Sequence, residues 1–192
     1  MKLSRQDLWS LEEYAEARPE FRARVIAHKK NRQVHLTDHA TLYFEDRLTM
    51  QYQIQEMLRI EKIFVGAQIK EELEAYNPLI PDGRNWKATF MIEYPDVEER
   101  TRELAVMGGI EHTVWVQVGD GAKSFAIANE DMERSDERKA AAVHFMRFEL
   151  SAEQIADVKA GANVRIGIDH ERQISAITLP QDTRSSLAAD LE

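Results

Sequence analysis

The segment from Phe44 to Phe64, FEDRLTMQYQIQEMLRIEKIF, constrains the fold more than any other stretch of this chain. Placed on a helix at about 100° per residue, Met50, Ile54, Met57, Leu58 and Phe64 line up as one apolar stripe. A helix with such a stripe has to lie on other elements. Arg47, Gln51, Gln55, Arg59 and Lys62 form a separate polar face. Glu61 falls inside the stripe, between Met50 and Ile54 in angle. A carboxylate on the core side of a helix needs a partner, because an unpaired buried charge is strongly unfavourable. An arginine, a proton-transfer group and a metal ion all meet that need, and the residues leave the choice open.

Composition narrows the choice. The 192 residues include no cysteine, so disulfides, thiolate zinc sites, iron–sulfur ligation and cysteine nucleophiles are excluded. Any metal must be held by His, Asp or Glu. The start, MKLSRQDLWSLEEY, has no apolar signal core. No run of about 18 apolar residues occurs anywhere. A cytoplasmic protein without a membrane span is therefore expected. The net charge of −9 argues against general affinity for nucleic acid. Yet Arg18, Arg22, Arg24, Lys29, Lys30 and Arg32 face only one acid, Glu20, between residues 18 and 32. This basic stretch either docks an acidic partner or balances acids of the same chain. The partner-binding candidates are Arg22, Arg24, Lys29, Lys30 and Arg32.

Along the chain, residues 4–17 read as a helix. The Ser10/Glu13 capping box offers a later start, and Pro19 opens a second helix over about 20–31. QVHL (33–36) and ATLYF (40–44) read as strands around a turn. Helices follow over 46–64 and 67–76, then a Pro/Gly/Asn loop over 76–85. WKATFMIEY (86–94) reads as a strand, and Asp96 with Glu99 starts a helix that ends near 107. Gly119-Asp120-Gly121 joins strands 113–118 and 122–128 as a hairpin. A charged connection spans 129–139, and 141–150 is a strand. Ser151 and Gln154 cap a helix that ends at Gly161. Strands at 164–169 and 174–179 and a terminal helix at 182–191 complete the chain. The expected architecture is α+β: one domain over 1–192, with a largely antiparallel sheet, packed N-terminal and central helices, and residues 1–32 as a helical N-terminal arm.

In AAVHFMRFEL, alternation puts Ala142, His144, Met146, Phe148 and Leu150 on one inward face. His144 is either a hydrogen-bonded core residue or a ligand or proton shuttle. The candidate buried polar site is Glu61, His144, Arg59, Gln55 and Arg47. As a metal site it reduces to Glu61 and His144, with His35, His39 or Glu56 as further donors. The motif HExxH, a Glu-x-x-His pair, GxxxxGK[ST], GxGxxG and GxSxG are all absent. The residues name no cofactor.

RPEFRARVIAHKK, LYFEDRLTMQYQIQEMLRIEKI, YNPLIPDGRNWKATFMIEY and AVHFMRFEL together resemble a bacterial family catalogued as a domain of unknown function. The resemblance implies genes often set beside those for rubrerythrin-like proteins and iron–sulfur oxidoreductase subunits. The leading expectation is thus a non-catalytic accessory protein that binds a protein partner, such as a redox protein, in redox or oxidative-stress metabolism. The alternative is a metal-dependent enzyme or metal carrier with the Glu/His site. A third reading is a small-molecule sensor with Gln51, Gln55 and Arg59 lining its pocket. The broad apolar face of the 46–64 helix leads to the further expectation of a homodimer.

Overall fold

A computed structural model describes residues 2–130 and 139–192. Most of the charged connection expected over 129–139 therefore lies outside the described residues. The elements in chain order are α1 (Leu11–Lys29), β1 (Gln33–His35), β2 (Ala40–Glu45), α2 (Arg47–Ile60) and α3 (Gly66–Tyr76). Then come β3 (Asn85–Ile92), α4 (Val97–Leu104), β4 (Val114–Val118), β5 (Lys123–Phe125) and β6 (Ile127–Ala128). The chain ends with β7 (Val143–Glu149), α5 (Ala152–Lys159), β8 (Val164–His170), β9 (Gln173–Thr178) and α6 (Gln181–Ala188). The α+β expectation holds, with two antiparallel sheets in place of one. The first runs β1-β2-β3-β7-β6 and the second β5-β4-β8-β9. No helix among the described residues is long and apolar enough to cross a membrane.

Strand alternation builds the main core. Leu42 and Phe44 of β2 stand beside Phe90 and Ala88 of β3, and Trp86 and Phe90 stand beside Phe148 and His144 of β7. Facing them, Val114, Val116, Ile166 and Ile168 come from the second sheet into the same cluster. Such period-two apolar rows are what two packed sheets require. α5 and α6 close this sandwich with Ile155, Val158 and Leu187. Trp86 Nε1 donates to the Leu187 carbonyl at 2.9 Å, tying α6 to the first sheet. The helices have cores of their own. Met50, Ile54 and Leu58 of α2 pack with Ile69 and Leu73 of α3, while Tyr14, Phe21 and Val25 of α1 form a third cluster with Leu48 and Tyr52.

Several helix boundaries differ from expectation: α4 stops at Leu104 rather than near 107, α6 stops at Ala188 rather than 191, and α1 and α2 differ for clear physical reasons. Ser10 caps α1, accepting from Glu13 N, and the helix then runs through Pro19 without a break. Tyr14, Phe21 and Val25 lie seven and four residues apart and so share one stripe across the proline. Packing of that stripe on α2 outweighs the lost hydrogen bond. α2 stops at Ile60 rather than at 64. Lys62 takes a left-handed conformation (φ 55°), and Ile63 N bonds back to the Leu58 carbonyl at 2.9 Å, the closure of a Schellman-type end. Phe64 thus leaves the stripe and is 76% exposed.

The second sheet contains one close approach. Trp115 on β4 lies opposite Gly167 on β8, with Lys123 Nζ 4.0 Å from its ring centroid and its own Nε1 donating to Asp169 at 2.8 Å. A Cβ at Gly167 would run into this indole and the Ser175 carbonyl oxygen. Neither is the loose end of a flexible chain. Gly167→Ala is expected to destabilise the protein by about 2 kcal/mol, read as a lower urea midpoint with an unchanged m-value.

Candidate functional site

Arg32 follows α1 and enters β1, and only 2% of its surface is exposed. A buried guanidinium must have its donors engaged. Its Nε donates to the Phe44 carbonyl at 3.0 Å, and Nη2 donates to the Glu45 carbonyl at 3.1 Å and to Asp190 Oδ2 at 2.5 Å. Nη1 reaches the Ser186 carbonyl and hydroxyl, each at 3.2 Å. One side chain thus joins the end of β2 to the end of α6. Its backbone grips the same strand, since Phe44 N donates to the Arg32 carbonyl at 2.8 Å.

Asp46 adds a second carboxylate, 3.5 Å from Arg32 Nε. It is the N-cap of α2, accepting from Thr49 N at 2.9 Å, and its other oxygen meets His28 Nε2 at 2.5 Å. His28 sits in the last turn of α1. The pair therefore places an anion at the positive end of one helix dipole and a histidine at the negative end of another. Beneath them Glu45 is buried, taking hydrogen bonds from Thr49 Oγ1 at 2.6 Å and Thr89 Oγ1 at 2.8 Å.

The two aspartates titrate apart. Burial works against the Asp46 carboxylate, but the charge of Arg32, the Thr49 N–H and His28 together outweigh it and hold Asp46 below the ordinary value. At Asp190 burial dominates and lifts the carboxyl to about 6 in spite of Arg32, with the charge of Asp46 adding to the rise. One acid stays ionised and its neighbour holds a proton more readily, around a single guanidinium.

This joint borders an open cavity of about 480 Å³. Four segments wall it: His28 and Arg32; Asp46 and Arg47; the loop Ile80–Gly83; and Ser186, Asp190 and Glu192. The last two are locked together. Glu192 N donates to the Gly83 carbonyl at 3.0 Å, and Gly83 has φ +94°, a backbone conformation that disfavours any other residue.

The residues singled out in the sequence are dispersed. Glu61 lies in the exposed turn that ends α2, outside the helical stripe, so it is not the inward carboxylate that the angular argument placed there. The early stop of the helix is the reason. His144 does point into the sandwich and is fully buried, with Nε2 2.9 Å from the Ala141 carbonyl and Nδ1 beside Asn129 and 4.0 Å from Glu111. Glu61 and His144 therefore do not meet. Among the described residues no three or more His, Asp or Glu side chains are grouped to hold a metal ion.

Arg59 pairs with Glu56 at 3.0 Å, and the same carboxylate takes Arg18 at 2.7 Å and the Tyr14 hydroxyl at 2.7 Å. Arg18 comes first in holding Glu56 down to about 2. Gln55 leaves the expected polar face: it is fully buried and accepts from Trp9 N at 2.7 Å. Arg47 lines the cavity and pairs with Asp7 at 2.5 Å. Of the basic candidates, Arg22, Arg24 and Lys30 are exposed and Lys29 is half-buried over the Tyr52 ring. Arg32 is inside, so it is not part of a docking face. His28, Asp46 and Asp190 escaped notice. The Asp46–Thr49 spacing signals a cap, but the 158-residue separation of Arg32 and Asp190 leaves no local trace.

The fold and this joint define an α+β protein in which one buried arginine binds a helical layer and a C-terminal helix to a two-sheet sandwich. The chain belongs to the family described as Protein of unknown function (DUF3501), whose model matches residues 2–191. It is similar to a protein of unknown function from Burkholderia pseudomallei, known from a crystal structure at 1.90 Å resolution. The two share 50% identity over the whole of both chains, with a TM-score of 0.95. No curated protein matches the chain.

Two outcomes follow from the joint. Arg32→Met leaves Asp46 and Asp190 buried without their cation and is expected to cost roughly 3–5 kcal/mol in urea unfolding. Asp190 sets a pH dependence. Its folded pKa is raised from 3.8 to about 6, so the folded chain binds the extra proton between those values. The stability it contributes is full below about pH 4 and is lost as pH rises through 6. Unfolding measured from pH 4 to 7 should show a decline on the order of 2 kcal/mol from this group, and Asp190→Asn should flatten it.

Proposed function

We propose that this protein is a non-catalytic accessory protein that binds a small polar ligand in the cavity walled by His28, Asp46, Asp82, Asp190 and Glu192. The observation that carries this reading is the cavity beside Arg32. Its volume falls within the range of about 300–1,000 Å³ in which small-molecule sites lie. Its walls are held by interlocked charges, so the receptor is formed before a ligand arrives and little ordering opposes binding. The paired aspartates with opposite displacements of pKa are the kind of groups that gather at binding sites. The redox or oxidative-stress setting belongs to the proposal through the family resemblance alone.

A second reading concerns a protein partner. Arg22 and Arg24 on α1 and Lys30 at its C-terminal cap stand exposed in a chain with net charge −9. That contrast favours an acidic surface as the partner of α1, with binding that weakens as salt rises.

The ligand reading is tested by thermal unfolding against a panel of amines, amino acids, carboxylates and phosphates. A ligand at 100 times its Kd should stabilise the wild type by about 2.7 kcal/mol. Ala189→Trp, which fills the cavity from its exposed rim, should abolish that shift. A panel without effect, or a shift that survives Ala189→Trp, contradicts the reading.

A further inference from the structure

Sheet edges are exposed hydrogen-bonding templates, and proteins guard them with charges, proline, bulges or very short strands. Three edges here follow that rule by length: β1 has three residues, β5 three and β6 two. The fourth does not. β9 has six residues, QISAIT, with no charge and no proline, and it is the last strand of its sheet.

The register shows which backbone groups are open. Leu179 N donates to the Val164 carbonyl, so Ile177, Ser175 and Gln173 make the bonded pairs with β8. Ile174, Ala176 and Thr178 alternate with them and turn their N–H and C=O away from β8. These same three side chains are exposed, Ile174 at 77%.

We propose that β9 is an interface at which two copies of this chain pair, antiparallel and about a two-fold axis at Ala176, to continue the second sheet across the dimer. The occupant is a second copy because β9 is self-complementary. About that axis Ala176 meets its own counterpart, and Ile174 stands opposite Thr178 of the partner subunit. This is a β-branched pair of the kind that stabilises adjacent strands. Each of the three open residues donates one bond and accepts one, and no charge within 173–178 is set against its like. Beyond the ladder each end carries exposed charges of both signs, Glu171 and Arg172 of one copy facing the end that holds Asp182 of the partner subunit, so no run of like charge opposes the pairing. An isologous contact of this kind closes on itself and does not propagate into a fibre.

Sedimentation equilibrium over a wide concentration range tests the proposal. The wild type should rise from the mass of one 22.2 kDa chain towards twice that mass. Ala176→Pro removes an N–H that points away from β8, and Ile174→Lys adds an edge charge at an exposed side chain. Loss of the dimer in either variant, with an unchanged circular dichroism spectrum, supports the proposal. A wild type that stays monomeric at every concentration overturns it. So does a dimer that both variants retain.

Discussion

The arrangement depends on burying one guanidinium. Arg32 is nearly sealed from water, a state that is unfavourable unless every donor is met. The chain meets them with carbonyls at the end of β2, a hydroxyl and carbonyl in α6, and the carboxylate of Asp190. These acceptors lie on parts of the chain that share no apolar cluster with α1. The helical clusters and the sandwich cluster are separate, so the charge does work there that apolar contact does not. A charge also fixes orientation more narrowly than apolar packing, because a planar fork accepts partners only along set directions.

The cavity follows from that joint. Arg32 holds Ser186 and Asp190 against the β2–α2 corner, and Glu192 is pinned to Gly83 beyond them. The space between is left open because its walls are charged and already committed to one another. Asp46 serves both structures, as the cap of α2 and as the partner of His28. The start of α2 and the floor of the cavity are therefore set by one residue. Glu45, one residue earlier, faces Thr49 and Thr89, so the corner carries adjacent carboxylates that look in different directions.

Much of the fold was legible in the sequence because local signals agreed. Period-two apolar rows marked the strands, and capping boxes at Ser10 and Ser151 marked helix starts that the structure repeats. The inward side of β7, with His144 on it, followed from alternation alone. Failure came where a long-range term overrode a local one. Pro19 reads as a break, yet the stripe shared by Tyr14, Phe21 and Val25 carries the helix through it. Glu61 reads as buried only if α2 keeps its pitch to Phe64, and the turn at Lys62 ends that pitch. The split into two sheets was hidden because the step from β5 to β6 is a single residue, Ala126. The candidate site was least legible of all. Arg32 looked like one more cation in a basic helix, since nothing near it in sequence reveals that Asp190 closes on it from the far end of the chain.

Native-state hydrogen exchange, followed residue by residue in the wild type and in Arg32→Met, tests the central claim that this arginine joins α6 and the β2–α2 corner. If it does, protection should fall furthest in α6, β1 and the first turn of α2, while β4 and β8 lose no more than the drop in global stability. Protection that falls evenly across both sheets, or α6 amides as slow as in the wild type, would contradict it.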